Sequence, residues 1–429
     1  MADYLPRICD EDLEERLETF GAVHVVGPKW CGKTTTSKRL AKSVIELQDP
    51  DKRESYLATA RVKPSLLLEG GNPRLVDEWQ EAPVLWDTVR VSVDKRNETG
   101  LYILTGSNSV DTDQIRHSGT GRISRMRMET MSLYESGESN GAVSLRSLFD
   151  NPAQEISATS SLEIEQLIFV ACRGGWPAFL ARKGDKAQLQ IARDYVDSVC
   201  QTDVSTVDGV ARNPRWTQQI LKSYARNIST LAKTSNLLKD VAAMATTISI
   251  DTLNSYIGAL EKLFVIQDVD AWSPAIRSAT AIRSGKKRGF CDPSIAVAAL
   301  GVTPEYFKTD LRSFGFIFES LCMRDIRAYA SQLEAHLSYY HDRYDLEADS
   351  VLHLRDGRYA LIEYKLGSQE IEEGAAHLLE IRALVQKHNQ DAKNTPLREP
   401  DVLMVVTGGE FAYRRDDGVF IVPIGCLKD

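Results

Sequence analysis

The spacing of apolar and polar residues divides the chain into three zones. In the first, about residues 17–135, short apolar runs alternate with segments of helical spacing. Strands that alternate with helices are typical of βαβ units, so this zone predicts a parallel sheet. The expected strands are 23–26, 74–76 and 101–104, and the expected helices are 33–47 and 83–93.

The second zone, about residues 162–300, is mostly helical. Apolar residues recur at helical spacing in segments 221–238, 239–245 and 250–263, and the strand-like run 264–269 follows. This order predicts a winged-helix unit, and a helical linker domain is the alternative. The stretch 135–159 is rich in Ser, Gly, Asn and Glu and is expected to be a connector.

The third zone, from residue 314 onward, predicts an α/β domain of its own. A helix at 316–333 precedes the strands, and another at 371–387 separates the third strand from the fourth. The Asp-Gly pair at 356–357 is typical of a hairpin turn. The expected strands are 336–340, 350–354, 359–364 and 402–406. The predicted domains are therefore residues 1–140, 160–300 and 310–429.

Composition narrows the class of protein. The chain has 429 residues and a formal charge of −8, which argues against a protein that coats nucleic acid non-specifically. Its seven cysteines are scattered and include no CxxC pair, so buried free thiols are expected rather than disulfides or a zinc site. With no apolar run of membrane length and no signal sequence, a cytoplasmic protein is expected.

One motif carries specific chemistry. Residues 27–34 match G-x-x-x-x-G-K-[ST] at every fixed position, between an expected strand and an expected helix. Backbone N–H groups at such a helix start bind phosphate, Lys33 supplies a positive charge, and the Thr34 hydroxyl ligates Mg²⁺. The predicted ATP-binding residues are Gly27, Pro28, Lys29, Trp30, Cys31, Gly32, Lys33, Thr34, Thr35 and Asp77.

A second strand ends in paired carboxylates. Asp77 is expected to help hold Mg²⁺ and Glu78 to activate the attacking water, which favours hydrolysis over simple nucleotide binding. The strand at 101–104 leads to Thr105, Ser107 and Asn108, any of which is a candidate for sensing the γ-phosphate.

An arginine cluster follows in the same zone. Arg122 is the leading candidate for an arginine that stabilises transition-state charge, ahead of Arg125 and Arg127. If it acts on a neighbouring copy, the protein must form a homo-oligomer; if it acts in cis, a monomer suffices.

A carboxylate cluster is expected in the third zone. The predicted hairpin brings Asp349 near Glu363 and Lys365, and Glu319 lies on the preceding helix. Such a set predicts an Mg²⁺ site that activates water for phosphodiester attack, with Asp349, Glu363 and Lys365 as catalytic residues and Asp349, Glu363 and Glu319 as ligands. A surface hairpin with an ion pair is the alternative.

These motifs together resemble a known group. The chain is similar to prokaryotic AAA-type P-loop ATPases that carry a C-terminal domain of unknown function with the D…(D/E)-x-K pattern of restriction-type nucleases. The resemblance covers nearly the whole chain. It implies an AAA-like parallel-sheet core, a winged-helix-like middle domain and a restriction-nuclease-like α/β domain. Beyond the P-loop, Asp77-Glu78 and the nuclease-like residues, it is carried by residues 4–7, 104–107, 121–122, 132–135, 174–177, 252–264 and 287–293.

Two functions remain open at this stage. The first is an ATPase whose nucleotide state controls a DNA-acting, Mg²⁺-dependent nuclease-like domain. The second is an ATP-dependent binding or regulatory switch, in which that domain only recognises DNA or a protein. The basic run 286–288 is compatible with DNA contact in either case. A metabolic P-loop kinase leaves Glu78 and the C-terminal half unexplained.

Overall fold

A five-stranded parallel sheet forms the core of the N-terminal part of the chain. In this computed structural model, which describes residues 4–106, 118–244, 248–275, 284–391 and 396–429, the strand order is β2-β3-β4-β1-β5. The strands are β1 (Ala22–Val26), β2 (Ser43–Glu46), β3 (Arg74–Asp77), β4 (Tyr102–Gly106) and β5 (Ile123–Arg127). The helices of this part are α1 (Cys9–Thr19), α2 (Lys33–Leu40), α3 (Arg53–Val62) and α4 (Val84–Arg96). The predicted parallel sheet is confirmed.

The predicted helix at 33–47 is wrong in its second half. Helix α2 ends at Leu40, Ala41 is extended, and Ser43–Glu46 forms strand β2 at the edge of the sheet. Val44 and Ile45 are β-branched and favour a strand. Ile45 is buried and pairs with Val76 of β3, so the sheet gains its edge strand directly after α2.

A histidine lies in the buried strand β1, between β4 and β5. His24 accepts a hydrogen bond at Nε2 from Trp79 Nε1 at 2.9 Å, and its ring packs edge-on against Trp79 and Trp86. The pKa of His24 is lowered to about 3, because burial disfavours the imidazolium and the charges of Arg125 and Lys33 add to this effect. The folded protein therefore holds His24 neutral at physiological pH.

The predicted connector is folded onto the C-terminal part of the chain. It contains β6 (Val143–Ser144), α5 (Leu145–Asp150) and β7 (Ser157–Thr159). Strand β6 pairs with β14 (Leu427–Lys428), the last strand of the chain, and β7 forms an edge of the C-terminal sheet. The connector is thus part of the folded structure rather than a loose link.

The middle part is helical, as predicted. After α11 (Ile250–Lys262), antiparallel bridges join Ile266 to Phe290 and Val269 to Lys287. Helices followed by an antiparallel pair are compatible with a winged helix, which stays a prediction. Its helices are α6 (Ile164–Arg173), α7 (Asp185–Ser198), α8 (Val204–Thr206), α9 (Pro214–Arg226), α10 (Thr234–Met244), α11 (Ile250–Lys262), α12 (Pro293–Leu300) and α13 (Pro304–Thr309), with a π-helical turn at Val199–Asp203 between α7 and α8.

The C-terminal part is a seven-stranded mixed sheet with the order β7-β12-β13-β11-β10-β9-β8. The predicted hairpin is confirmed, since β9 and β10 are antiparallel and His353 pairs with Tyr359 across the Asp-Gly turn. Its elements are α14 (Leu311–Gln332), β8 (His336–His341), β9 (Glu347–His353), β10 (Tyr359–Lys365), α15 (Ile371–Asp391), β11 (Val402–Thr407), β12 (Phe411–Arg414) and β13 (Phe420–Pro423). A continuous apolar core runs from Met131 through the middle helices into this sheet.

A buried ionic network, which we call the central network, joins the three parts. Arg324 of α14 donates two bonds to Asp325 Oδ1, at 2.8 and 2.6 Å, and one to Asp292 Oδ2 at 3.3 Å. Asp292 Oδ2 also accepts from Thr130 Oγ1 at 2.8 Å, and Asp325 Oδ2 accepts from the Leu133 N–H at 3.0 Å. The end of the N-terminal part is therefore bonded to both following parts.

Two adjacent glycines let the chain approach the central network. Gly175 N–H donates to Asp292 Oδ2 at 2.9 Å, and its carbonyl accepts from the Met131 N–H at 2.7 Å. A Cβ on Gly175 would lie 2.1 Å from the Met131 carbonyl oxygen, and Gly174 has a φ of +77°. The Gly-Gly pair is needed here because two backbone segments lie in direct contact.

Two further findings concern the cysteines and membrane segments. All seven cysteines are buried and unbridged, as expected. Within the described part of the chain, we find no helix with the length and apolar character needed to cross a bilayer.

The low pKa of His24 predicts a loss of stability in mild acid. The unfolded chain titrates near 6.5 and the folded protein near 3, so between these values the unfolded state binds the extra proton and stability falls as pH falls. From pH 6.5 to 5, wild type should lose about 1.5 kcal/mol more than His24→Gln in urea unfolding. His388→Gln, at an exposed position, should keep the wild-type slope. Equal slopes for wild type and His24→Gln would contradict the assignment.

The close contact at Gly175 predicts that a single methyl group is destabilising. Gly175→Ala should lower the free energy of unfolding by about 1–3 kcal/mol, because the Met131 backbone has to move. The matched control is Gly315→Ala in α14, where an added Cβ contacts nothing within 4 Å. Thermal melting of both variants checks this, and a Gly175→Ala protein as stable as wild type would show that the contact adjusts freely.

Candidate functional site

The predicted P-loop connects the carboxyl end of β1 to the start of α2. Gly27 has a φ of +151°, and a Cβ there would lie 2.2 Å from the Met128 carbonyl oxygen. Gly32 has a φ of +108° at the helix N-cap. Lys33 is buried, and its Nζ donates to the carbonyls of Gly27 and Pro28 at 3.0 and 2.8 Å. The loop therefore curls around the lysine, with the first N–H groups of α2 at its end.

Two unusual residues lie inside the loop. Trp30 has a φ of +64°, a left-handed conformation that is rare for a bulky side chain, and it is 52% exposed. Cys31 is fully buried against the carbonyl of Met128. Strained backbone of this kind persists only where the surroundings hold it, and it clusters at functional sites.

The ends of β3 and β4 bring a carboxylate to the P-loop. Asp77 Oδ1 accepts from Thr34 Oγ1 at 2.8 Å and from Thr105 Oγ1 at 2.5 Å. Strand β4 lies between β1 and β3, so Thr105 stands beside both the P-loop and Asp77. The structure thus brings together Thr34, Asp77 and Thr105, three residues singled out from the sequence. Ser107 and Asn108 lie outside the described residues.

Glu78 follows in a left-handed conformation, with a φ of +54°. Because of this turn, the Glu78 side chain does not continue the alternation of side chains along β3, which ends at Asp77. Its carboxylate accepts a hydrogen bond from Gln80 Nε2, and both residues line the same cavity as the P-loop.

That cavity lies between the parallel sheet and the middle helices, and we call it the nucleotide cavity. Its volume is about 1560 Å³. One wall contains Tyr4, Lys33, Thr34 and Glu78, and the opposite wall contains Arg182 and Asp203 of the middle part. It exceeds the range of about 300–1,000 Å³ that is usual for small-molecule sites, so a nucleoside triphosphate has room between the two walls.

The residues present fit ATP and Mg²⁺. Gly27 and Gly32 leave the loop backbone without side chains at the turn, and Lys33 lies within the loop. The Thr34 hydroxyl and the Asp77 carboxylate are oxygen groups of the kind that Mg²⁺ binds beside a substrate phosphate.

Arg7 is a residue of the site that sequence reasoning left without a role. Its buried guanidinium donates to the Cys31 carbonyl at 2.7 Å, to the Glu129 carbonyl at 2.9 Å and to Glu135 Oε1 at 2.9 Å. Glu135 also accepts from the Ser132 N–H at 2.7 Å. Arg7 therefore ties the P-loop to the segment that enters the central network. Its only signal in the sequence was its place in the stretch 4–7 that carries the resemblance.

Arg122 does not reach the nucleotide cavity of its own chain. It precedes β5, and the Ala22 N–H donates to its carbonyl, so it lies at the edge of the sheet where β1 begins. The P-loop follows the other end of β1, and a strand of five residues is about 16 Å long. Arg122 instead pairs with Asp94 at 2.7 Å. The role of Arg122 as an arginine that stabilises transition-state charge, in cis or in trans, therefore stays a prediction.

The predicted C-terminal cluster forms around a lysine from the middle part. Lys287 Nζ donates to Glu319 Oε1 at 2.9 Å and contacts Asp349 Oδ1 at 3.3 Å. Asp349 Oδ2 accepts from the Tyr364 N–H at 3.0 Å. Glu363 pairs with Lys365 at 3.1 Å.

Burial makes two of these groups, Glu319 and Glu363, weaker acids. It raises the pKa of Glu319, against the opposing charge of Lys287. It also raises the pKa of Glu363 to about 9, and the neighbouring Asp349 adds to this shift. Oε1 of Glu363 has no hydrogen-bond partner although the side chain is buried.

Lys287 holds the position between Glu319 and Asp349 that the sequence assigned to Mg²⁺. In the described part of the chain, we find no three His, Cys, Asp or Glu side chains grouped to hold a metal ion. Glu319 is thus bonded to an ammonium instead of completing a ligand set with Asp349 and Glu363. The nuclease-like roles of Asp349, Glu363 and Lys365 stay predictions.

The basic run 286–288 is largely unavailable to a partner. The side chain of Lys287 is buried between carboxylates, and Arg288 bonds to Asp268 and Tyr224 at 2.8 and 2.9 Å. Of the three, only Lys286 is substantially exposed. Arg277 and Arg283, the nearby basic residues, lie outside the described residues.

Family models match three segments of the chain. Residues 19–137 match a model described as AAA domain. Residues 164–306 and 314–427 match two models described as Domain of unknown function, DUF8612 and DUF4143. Neither of these two descriptions assigns a nuclease character.

Similar proteins were found among curated sequences and solved structures. Uncharacterized proteins of Mycobacterium bovis and Mycobacterium tuberculosis are each 30% identical over 129 residues, which is 30% of this chain and 29% of theirs. The chain thus matches about three tenths of the length of these relatives. A Walker-type ATPase of Pyrococcus abyssi has a TM-score of 0.42 and 15% identity, covering 68% of this chain and 94% of its own.

The central position of Lys287 predicts a sharp contrast between neighbouring lysines. Lys287→Met leaves two buried carboxylates without their cation and should cost about 3–5 kcal/mol of stability. Lys286→Met removes a half-exposed charge 3.6 Å from Asp270 and should leave the melting temperature unchanged. Equal melting temperatures for the two variants would contradict a structural role for Lys287.

The sheet order, the P-loop geometry and the family match coincide on the same part of the chain. Asp77 and Thr105 meet the P-loop where a P-loop ATPase requires them. Residues 19–137, which match the AAA domain model, therefore contain the P-loop and the Asp77–Thr34–Thr105 contacts, and together these findings support a P-loop ATPase.

Proposed function

We propose that this chain hydrolyses ATP in the nucleotide cavity and uses its nucleotide state to control the middle and C-terminal parts. The convergence of Thr34, Thr105 and Asp77 beside Lys33 carries this proposal. The Asp77 carboxylate suits Mg²⁺ beside the bound phosphates, and Glu78, which lines the same cavity, supplies the general base that hydrolysis needs and simple nucleotide binding does not.

Each residue has a stated part in the reaction. The N–H groups at the start of α2 and the Lys33 ammonium bind the phosphates, and the Thr34 hydroxyl and Asp77 hold Mg²⁺. Bound Mg²⁺ neutralises charge on the transferred phosphoryl group. Glu78 orients the attacking water and accepts its proton. Thr105 fixes Asp77 from the neighbouring strand.

The nucleotide state has two routes out of the AAA domain. One is the cavity wall formed by the middle part, which includes Arg182 and Asp203. The other runs from the P-loop through Arg7 and Glu135 to the central network at Arg324. Both routes are made of bonded or contacting groups. A movement of the P-loop on ATP binding therefore shifts residues of the middle and C-terminal parts as well.

For the C-terminal part, the position of Lys287 favours a binding switch over a nuclease. An ammonium between Glu319 and Asp349 supplies the charge that a metal ion would otherwise bring. We therefore propose that this part recognises a macromolecule. DNA remains one candidate partner and a protein the other, and a second copy of the chain is required if Arg122 acts in trans.

Phosphate release from ATP with Mg²⁺ tests the central claim. Lys33→Ala should abolish ATP binding, whereas Glu78→Gln should still bind ATP and lose about 10²–10⁴ of the rate. Lys38→Ala is the matched control, because Lys38 lies on α2 in an exposed pair with Glu46 outside the cavity. A wild-type protein that releases no phosphate, or a fully active Glu78→Gln variant, would refute the assignment.

A plasmid-cleavage arm separates the two readings of the C-terminal part. We expect intact plasmid with ATP and Mg²⁺ in wild type and in Asp349→Ala alike. Cleavage by wild type that disappears in Asp349→Ala would instead establish the nuclease.

A further inference from the structure

The P-loop contains a second lysine that faces the middle part of the chain. Lys29 Nζ donates to Asp203 Oδ1 at 2.6 Å, across 174 positions of sequence. Both residues line the nucleotide cavity together with Lys33 and Thr34. This ion pair therefore joins the phosphate-binding loop to the opposite wall of the cavity.

The two partners differ in their freedom to move. The side chain of Asp203 is 8% exposed and ends the π-helical turn Val199–Asp203, whereas that of Lys29 is 38% exposed. Single π-turns inside helices are frequent at functional sites. Lys29 can thus swing on its long flexible stem while Asp203 stays in the wall.

The charges of Asp203 and of a bound nucleotide give Lys29 a reason to change its partner. An unpaired Asp203 carboxylate would repel the phosphates of a bound nucleotide, and Lys29 neutralises it. A terminal phosphate carries a charge of about −1.5 to −2 and three acceptor oxygens, more than one carboxylate offers. A partly exposed ion pair contributes little net stability, so a nearby phosphate competes with it effectively.

A change of partner at Lys33 would not alter the contact with the middle part, because its present partners belong to the same loop. Its ammonium is buried and bonded to the carbonyls of Gly27 and Pro28 within the loop. Lys29 is bonded to a residue of another part of the protein, so a change of its partner alters the contact between the two.

Resting on the proposed ATP site, we infer that Lys29 distinguishes ATP from ADP by exchanging Asp203 for the terminal phosphate. With ADP the Lys29–Asp203 pair persists and holds the P-loop to the middle wall. With ATP the pair opens, and the turn Val199–Asp203 is released from the loop. The presence of the γ-phosphate thereby reaches the middle part before any hydrolysis.

Calorimetric titration with ADP and with the nonhydrolysable analogue AMPPNP, each with Mg²⁺, tests the inference. Lys29→Met should lower the preference for AMPPNP over ADP about fivefold, since it removes a ligand of the terminal phosphate. Asp203→Asn should raise the same preference about fivefold, since it removes the competitor. Lys38→Met, which breaks an exposed pair outside the cavity, should leave it unchanged.

Opposite changes of the AMPPNP-over-ADP preference in Lys29→Met and Asp203→Asn distinguish the exchange of partners from a merely structural ion pair. If the pair were only structural, both variants would break the same contact and shift nucleotide affinity in the same direction. Shifts of equal sign, or equal effects on AMPPNP and ADP, would overturn the inference and leave the ATP site standing. A wild-type protein that binds neither nucleotide would overturn the proposed function together with it.

Hydrogen exchange supplies a second readout in wild-type protein. Amide exchange over residues 199–203 should be faster with AMPPNP than with ADP, because the turn loses its contact with the P-loop. Equal exchange in the two complexes would overturn the release of the middle wall.

Discussion

The buried charge of Arg324 is the constraint on which the arrangement of the three parts depends. A guanidinium without solvent needs anionic partners, and Arg324 finds them in Asp325 and Asp292. Those carboxylates in turn take hydrogen bonds from Thr130, Leu133 and Gly175, which come from different segments of the chain. Removing Arg324, Asp292 or Asp325 leaves other polar groups of this network buried without a partner, so the segments are held in a single mutual orientation.

A second buried arginine, Arg7, positions the nucleotide site in a similar way. Arg7 takes its place in the chain of bonds because it reaches the P-loop backbone with one nitrogen and Glu135 with another. The conformation of the loop is thus set partly from outside the AAA domain sheet. Glycine at 27 and 32 permits the loop, and Arg7 and Met128 fix where it lies.

Much of the nucleotide site was readable from the sequence, because its motif is local and its strands are apolar runs with polar ends. The meeting of Thr34, Asp77 and Thr105 follows from parallel strands ending at one edge of a sheet. Strand direction also explains why Arg122 lies away from the P-loop in its own chain, since a residue that precedes a parallel strand lies at the opposite end of the sheet from one that follows it. Strand β2 was missed because its four residues continue the spacing of α2.

The pattern of apolar and polar residues could not predict contacts between distant segments of the chain. Nothing near Lys287 in the sequence indicates Glu319 or Asp349 as its partners, and nothing near Lys29 indicates Asp203. The sequence context of both lysines, a basic run for Lys287 and a glycine-containing loop for Lys29, is typical of exposed residues. In the structure each lysine is instead bonded to a carboxylate from another part of the chain. The assignment of Mg²⁺ to the C-terminal carboxylates failed to foresee a competing cation for this reason.

The pairing of β6 with β14 and of β7 with β12 has a consequence for how the chain is made. Residues 143–159 leave the ribosome long before their partners at 411–414 and 427–428, so they wait without their strand pairs for most of synthesis. The seven-stranded sheet gains β7 only after β12 is made, and the separate two-stranded sheet forms only after β14 is made. A ribosome that stalls before residue 411 therefore leaves both β6 and β7 with unpaired backbone N–H and C=O groups, which are prone to pair with another chain.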